Sequence, residues 1–293
     1  MSEPVSAKPT IENAGTYREL PLFFTSASQT LYGVFCAPEA GDCKDRVVIF
    51  AHSLGIEHMV SQRMEVLGAR AAAQAGFAAF RYDSRAHGDS AGDAEEVTFT
   101  DLVDDACAAA DYARQLSGAA KVIWVGVRFG ALIAAAAIAR RNDTAALALW
   151  EPLHQGADYF RVALRTMLFC QVAQGKRSGA TVDDLLKRLE SQSALPVVGT
   201  YLYRALYQSA QERSLGQLLQ HWNGNTLIAQ VQSRPKLAAS NEALRSAIEQ
   251  RGGSVKVTLV SQEPSWNMLP VVRPQWTSGP LLAATKEWLD GMA

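Results

Sequence analysis

Apolar residues along the chain form short continuous runs that alternate with longer segments of helical periodicity. Such runs are typical of strands covered on both faces of a sheet, whereas the periodic segments predict amphipathic helices. The predicted buried strands are 46–51, 77–82, 121–126 and 145–150, and the helices between them are 62–75, 100–116 and 131–139. Two strands, 17–25 and 30–36, precede them as an antiparallel hairpin.

The alternation stops after residue 150. Only helical segments are predicted in the next part, at 159–171, 182–190, 199–211 and 215–222. Two strands, 226–232 and 254–260, and two helices, 238–250 and 280–289, complete the pattern. We therefore expect an α/β fold with a doubly wound, mostly parallel sheet. Its core would comprise 15–150 and 224–293, after a flexible tail at 1–14. A helical cap, 151–223, would cover the carboxyl edge of the strands, where ligands bind in such sheets.

The segment Gly126-Val127-Arg128-Phe129-Gly130 lies where a buried strand turns at once into an Ala-rich helix. This strand–turn–helix context is required for a nucleophile elbow, in which the central residue is held on a tight, strained turn. The central residue of such an elbow should be Ser, Cys or Asp. Here it is Arg128, whose guanidinium has only hydrogen-bond donors and cannot attack a carbonyl.

Two further segments resemble motifs of serine aminopeptidase-like α/β-hydrolases. The residues from Phe50 to Gly55 look like the H-G-x-G oxyanion loop, and those from Tyr82 to Ser90 resemble the D-x-R-G-x-G-x-S segment. The resemblance covers residues 17–290 and implies the α/β-hydrolase fold. The stretch 126–152 is similar to the exosortase-system-associated hydrolases of the second type. That group also carries Arg at the elbow and accompanies bacterial exopolysaccharide and protein-sorting loci.

A catalytic triad on this fold requires a nucleophile, an acid and a His in that chain order. Arg128 replaces the nucleophile, the segment 232–236 offers no carboxylate, and no His follows His221. Only Glu151, directly after the sixth strand, could serve as the acid. Loss of Ser and His together costs orders of magnitude in rate. The sequence therefore predicts a pseudoenzyme, a hydrolase fold with a degenerate triad.

The oxyanion loop is expected to persist, with His52 orienting it. The backbone N–H groups of Leu54 and Phe129 would point into the cleft, since backbone geometry supplies them. An anion bound there would meet Arg128, which predicts a non-hydrolytic protein that binds a small carbonyl- or carboxylate-bearing ligand or a partner. The alternative function is an active hydrolase or acyltransferase for an ester, thioester or amide, or a non-hydrolytic enzyme, that uses the loop and Arg128.

A second interpretation of Arg128 is structural. Its charge at a helix N-terminus is unfavourable, so an ion pair with Glu151 could plug the former site. Trp266, at the position where the family's His loop should be, would then occupy or wall the former catalytic space.

The catalytic candidates are Ser53 and His87. Ser53 lies in A-H-S-L-G, which mimics an elbow motif, but its position after the third strand favours the oxyanion loop. His87 is expected to stabilise its own turn. A serine or cysteine within proton-transfer reach of a histidine inside the cleft would contradict the degenerate site.

Composition and charge argue against several kinds of partner and cofactor. A net charge of −1 gives no reason to expect nucleic acid or an anionic membrane as partner. The four cysteines lack C-x-x-C spacing, which fits reduced thiols in a cytoplasmic protein. Five histidines without clustered spacing predict no metal. The longest apolar run, 131–139, is too short to span a bilayer. We expect no cofactor and no membrane insertion, and a protein partner stays open.

Overall fold

The computed structural model describes residues 11–13, 16–39, 43–175, 179–233, 236–266 and 277–292. Residues 1–10 and 14 of the expected tail lie outside the described residues. The same holds for 234–235 and 267–268, which belong to the segments inspected for a catalytic acid and a catalytic His.

Within these described ranges, a nine-stranded sheet forms the centre of the molecule. The strands are β1 (Ile11–Asn13), β2 (Tyr17–Ser26), β3 (Gln29–Pro38), β4 (Arg46–Ala51), β5 (Ala78–Tyr82), β6 (Lys121–Val127), β7 (Thr144–Trp150), β8 (Ala194–Val197), β9 (Thr200–Tyr203), β10 (Asn225–Gln232) and β11 (Val255–Ser261). The order in the large sheet is β1-β2-β3-β5-β4-β6-β7-β10-β11. From β5 to β11 all neighbours are parallel, and β1, β2, β3 and β5 pair antiparallel. This sheet confirms the predicted fold class, although β1 lies inside the expected tail.

Helices cover both faces of the sheet. They are α1 (Gly55–Gln74), α2 (Phe99–Ser117), α3 (Gly130–Arg140), α4 (Gly156–Ala173), α5 (Val182–Ser191), α6 (Arg204–Ala210), α7 (Leu215–Leu218), α8 (Ala239–Gln250) and α9 (Gly279–Asp290). One buried apolar cluster joins the sheet to α1 and α9. A larger one joins its other face to α2, α3, α8 and the cap. In the described part of the chain, no helix has the length and apolar content needed to cross a membrane.

The segment expected to be an all-helical cap also contains a β-hairpin. Strands β8 and β9 pair antiparallel where the sequence pattern predicted loop and the start of helix 199–211. The two turn residues, Val198 and Gly199, have φ of +32° and +79°, as a two-residue hairpin turn requires. Leu195, Val197 and Leu202 are buried, so the hairpin contributes its apolar face to the cap core.

Helix α1 begins at Gly55, seven residues before the predicted start at 62. Its first two turns bury Glu57, Ser61 and, one turn further, Glu65. This buried polar stripe masks the apolar periodicity from which the helix was predicted. The early start places the first turn of α1 against the elbow, where Glu57 contacts Arg128.

Candidate functional site

The elbow geometry is present in full. Strand β6 ends at Val127 and α3 begins at Gly130, and Arg128 between them has φ of +53°. A Cβ added at Gly130 would lie 1.9 Å from the carbonyl oxygen of Ala51. Glycine is therefore required here, because the turn crosses closely over the end of β4. A non-glycine residue at positive φ is the strained conformation of a nucleophile elbow.

The side chain of Arg128 is held by a carboxylate. Its Nη2 atom donates to Oε1 of Glu57 over 2.8 Å, and the two side chains are only 11% and 4% exposed. Glu57 lies in the first turn of α1, where a negative charge also suits the helix dipole. Arg128 is thus internally neutralised, as the structural interpretation required, but through a residue that the sequence pattern did not identify.

Glu151 has a different role from the one expected. The backbone N–H of Val231, on β10, donates to Oε2 of Glu151. Burial raises the pKa of the Glu151 carboxyl, and the hydrogen bond from Val231 and the charge of Arg128 act in the opposite direction. The predicted Arg128–Glu151 ion pair is therefore wrong in its partner, because Glu57 forms the direct contact.

Ser53 links the carboxylate to the elbow. Its hydroxyl donates to Oε2 of Glu57 over 2.7 Å, and the backbone N–H of Phe129 donates to Ser53 Oγ over 3.4 Å. Ser53 is completely buried. A chain of hydrogen bonds thus runs from Phe129 through Ser53 and Glu57 to Arg128. We name these four residues the elbow network.

His52 orients the oxyanion loop by contacts on both ring nitrogens. Its Nδ1 is 2.5 Å from the carbonyl oxygen of Ser53, and its Nε2 accepts from the backbone N–H of Ser84 over 3.1 Å. These partners assign the proton to Nδ1. Burial, followed by the neighbouring His58 and His87, lowers the pKa of His52 well below its usual value, so the ring is neutral.

The same Nε2 atom lies 3.0 Å from Oγ of Ser84. This serine–histidine contact follows β5, and the sequence analysis did not identify it as a candidate. Ser84 and His52 are 0% and 1% exposed, and neither belongs to the lining of the cavities described below.

His58 joins this group from α1. Its ring centre lies 4.2 Å from that of His52, and its nitrogens lie 3.7 Å from Asp83 and 3.9 Å from Glu65. Burial acts to lower the pKa of His58, but the nearby carboxylates of Asp83 and Glu65 outweigh it, and the pKa is raised. Within the described ranges, no three His, Cys, Asp or Glu residues are grouped as a metal ion would need.

A cavity of about 130 Å³ lies between the oxyanion loop and the cap. Leu54 and Gly55 form its floor on the core side, together with His87 from the loop after β5. The cap contributes Tyr159 and the β9 hairpin strand. Of the residues predicted for the site, this cavity brings together Leu54 and His87.

The cavity and the elbow network are separate but adjacent. Arg128 does not belong to the cavity lining. Glu57 and Tyr159 line a smaller second cavity of about 20 Å³, and the charge of Glu57 acts on the Tyr159 hydroxyl, whose pKa is raised chiefly by burial. Tyr159 lines both cavities and therefore lies between Glu57 of the elbow network and the larger cavity.

Trp266 is buried, and its expected place in or beside the catalytic space stays a prediction. It belongs to the apolar cluster that joins the sheet to α1 and α9, and it is not part of the lining of the larger cavity. Two positions of this candidate site were missed by the sequence analysis: Glu57 and Ser84. Only Glu57 left a signal, as a carboxylate four residues after Ser53 in a loop already identified as the oxyanion loop.

Comparison with solved structures shows the fold. Est1E from Butyrivibrio proteoclasticus, in a structure with ferulic acid bound, is 16% identical with a TM-score of 0.66, over 92% of this chain and 97% of that chain. An esterase from Pyrococcus furiosus is 12% identical with a TM-score of 0.62, over 100% and 99% of the two chains. A proline iminopeptidase from Mycobacterium smegmatis is 14% identical with a TM-score of 0.56, over 92% and 98%.

A comparison with curated proteins found no match. The family described as serine aminopeptidase, S33, matches residues 42–194, which is slightly more than half of the chain and includes the oxyanion loop, the loop after β5 and the elbow. The parallel sheet and the elbow geometry agree with that match, and the chain belongs to the serine aminopeptidase S33 family of α/β-hydrolases.

Proposed function

We propose that this protein is a non-hydrolytic member of its family that binds a small molecule in the cavity between the oxyanion loop and the cap. The observation that carries the proposal is the elbow network. The position of the nucleophile holds Arg128, which is paired with the buried Glu57 over 2.8 Å. The elbow offers no hydroxyl or thiol to a substrate.

The oxyanion site supports the same proposal. Stabilisation of a tetrahedral intermediate requires backbone donors that are free to meet the developing oxyanion. The N–H of Phe129 is directed at the hydroxyl of Ser53 instead. Ser53 in turn donates to Glu57, so its lone proton is shared with a carboxylate and no histidine accepts it. A substrate carbonyl would have to displace this buried hydroxyl before it could be polarised.

One observation favours the alternative of an active hydrolase or acyltransferase, namely the contact between Ser84 Oγ and His52 Nε2. Three features count against it as a catalytic pair. Both side chains are inaccessible. The Nε2 lone pair is shared with the backbone N–H of Ser84. The Nδ1 atom faces a carbonyl oxygen of Ser53 where a catalytic His would meet a carboxylate.

A fluorophosphonate probe tests the proposal, since it labels serines that are activated as nucleophiles. We expect no labelling of the wild-type protein and no turnover of p-nitrophenyl acetate, with an active serine esterase as the positive control. An Arg128→Ser variant should stay unlabelled as well, because no histidine follows His221 to activate it. Labelling of the wild type that disappears in Ser53→Ala or Ser84→Ala would refute the proposal and identify the nucleophile.

We also propose a biological setting for this protein, and the support for it is the resemblance of one segment to a known group. The likeness of residues 126–152 to the exosortase-system-associated hydrolases of the second type supports a role beside bacterial exopolysaccharide or protein-sorting machinery. Deletion of the gene should then lower exopolysaccharide yield. A Ser84→Ala variant that circular dichroism shows to be folded should restore the yield, since the proposed role needs no serine chemistry, and failure to do so would contradict it.

A further inference from the structure

The side chains that line the larger cavity indicate which class of ligand it can bind. Its described lining is mostly aromatic and aliphatic, includes the polar side chains of Thr200 and His87, and contains no Lys or Arg. Asp93 and Glu95 flank Ala94 of the lining in the sequence. After burial, their negative charges contribute to the raised pKa of Tyr203 on the cap side. An anionic ligand would therefore meet no cation in the cavity wall and two carboxylates nearby, which argues against the expected carboxylate-bearing ligand.

His87 supplies a hydrogen-bond acceptor to this cavity. Its Nδ1 lies 3.0 Å from the carbonyl oxygen of Arg85, so Nδ1 carries the proton and Nε2 has a lone pair. Among the described residues, no hydrogen-bond partner meets Nε2, and the ring lies in the cavity wall. Burial lowers the pKa of His87, which keeps the ring neutral and its acceptor available near neutral pH.

The size of the cavity limits the ligand. A volume of about 130 Å³ is close to that of an apolar cavity of about 150 Å³ that takes up benzene in another protein. A single six-membered ring fits such a space, whereas a second ring would have to extend out of it. The aromatic wall formed by Tyr159 and Phe160 suits the flat face of such a ring.

We propose that the cavity binds an uncharged molecule of one-ring size that carries a hydroxyl, as a phenol does, and that this hydroxyl donates to Nε2 of His87. This inference rests on the proposed function, since it names the ligand class of that same site. His87 is then a ligand-binding residue and no part of a catalytic pair with Ser53.

Isothermal titration with three probes of similar size tests the ligand class. Phenol carries the donor, benzene lacks it, and benzoate adds a negative charge. We expect phenol to bind roughly three- to tenfold more tightly than benzene, which corresponds to one net hydrogen bond. Benzoate should bind more weakly than both. Benzoate as the tightest of the three would overturn the proposal.

Two variants locate the contact. His87→Phe keeps a flat ring but removes the acceptor, so phenol should fall to the affinity of benzene while benzene is unchanged. Ala94→Leu adds carbon atoms to the cavity wall and should weaken both probes, whereas the exposed Ala120→Leu should weaken neither. Circular dichroism confirms that each variant is folded. Equal loss of phenol and benzene in a folded His87→Phe would refute the role of Nε2.

The two proposals fail in different ways. Absence of phenol and benzene binding together with absence of fluorophosphonate labelling would overturn the ligand class and leave the non-hydrolytic function intact. Labelling by the probe, with phenol binding that depends on His87, would refute the non-hydrolytic function and keep the ligand class as that of a substrate group.

Discussion

The ion pair between Arg128 and Glu57 should act as one structural unit, and its energy can be estimated from its burial. Replacing Arg128 by Met removes the guanidinium and leaves Glu57, whose side chain is 4% exposed, with Ser53 as its remaining partner. Breaking a buried pair in this way costs about 3–5 kcal/mol of folding stability. At about 2 °C per kcal/mol for a large domain, the melting temperature should fall by roughly 6–10 °C. Glu57→Gln should lower the folding stability by a comparable amount, because it leaves the buried guanidinium without its carboxylate partner.

The double variant Arg128→Met/Glu57→Gln should recover most of this loss. Once both charges are removed no buried ion is left uncompensated, and substitution of a whole buried pair is often close to neutral. Because each single variant should lose about 3–5 kcal/mol while the double variant is close to neutral, the cycle should give a coupling energy of more than about 5 kcal/mol. Urea unfolding followed by circular dichroism measures it, provided that the four proteins have equal m-values. The exposed pair Arg140–Asp104, with side chains 43% and 44% accessible, is the matched control, and its loss should cost less than about 1 kcal/mol.

Two results would refute this reasoning. If Arg128→Met destabilises the protein no more than Arg140→Met does, the buried pair is not a stabilising unit. If Arg128→Met keeps full stability but loses affinity for benzoate, Arg128 is an anchor for an anionic ligand, and its contact with Glu57 is secondary.

Three further predictions follow from local geometry. Gly130→Ala should destabilise the fold by about 1–3 kcal/mol or more, because the new Cβ would overlap the Ala51 carbonyl oxygen, whereas Gly279→Ala, with nothing within 4 Å of its added Cβ, should be close to neutral in thermal unfolding. Burial lowers the folded-state pKa of His52 and His87 below the ordinary 6.5, so the unfolded chain binds more protons and stability should fall as pH drops from 6.5 to about 5.5, by up to about 1.4 kcal/mol per pH unit for each ring. Burial also lowers the pKa of His154, which acts in the same direction, whereas the raised pKa of His58 acts against it. His87→Phe should therefore reduce that slope without abolishing it, and an unchanged slope in urea titrations would contradict the assignment. Val198→Asn should raise stability by about 0.5–1 kcal/mol, since Asn tolerates the positive φ of the hairpin turn better than Val does, and a lower midpoint in urea would contradict it.

The core of the fold was readable from the sequence because its strands are apolar on both faces. The predicted run 46–51 coincides with β4, and the predicted strand 226–232 begins one residue after β10 does. Such strands keep their pattern whatever covers them. The elbow was equally clear, since Gly126 and Gly130 are required by close approaches of backbone that no other residue allows.

The parts that were missed depend on contacts between distant segments. The start of α1 was hidden because Glu57 and Glu65 are buried where periodicity calls for apolar residues. The β8–β9 hairpin was hidden because Tyr201 and Leu202 fit a helix as well as a strand, and only packing within the cap decides between the two. The partner of Arg128 could not be read from neighbouring strands. Glu151 is close in the sheet, but Glu57 lies 71 residues away in the sequence.

The position of Arg128 also explains why the elbow network involves four residues and not one. A cation at the N-terminus of α3 is opposed by the helix dipole, and a positive φ adds backbone strain. Both costs are tolerable only if a carboxylate lies within direct reach, and the first turn of α1 provides it in Glu57. The second oxygen of that carboxylate then needs a donor, which Ser53 supplies, and the Ser53 hydroxyl in turn accepts the N–H of Phe129. On the proposed function, a single return to Ser at position 128 would therefore not rebuild a hydrolase. It would leave Glu57 buried without its cation and the elbow amide still directed at Ser53.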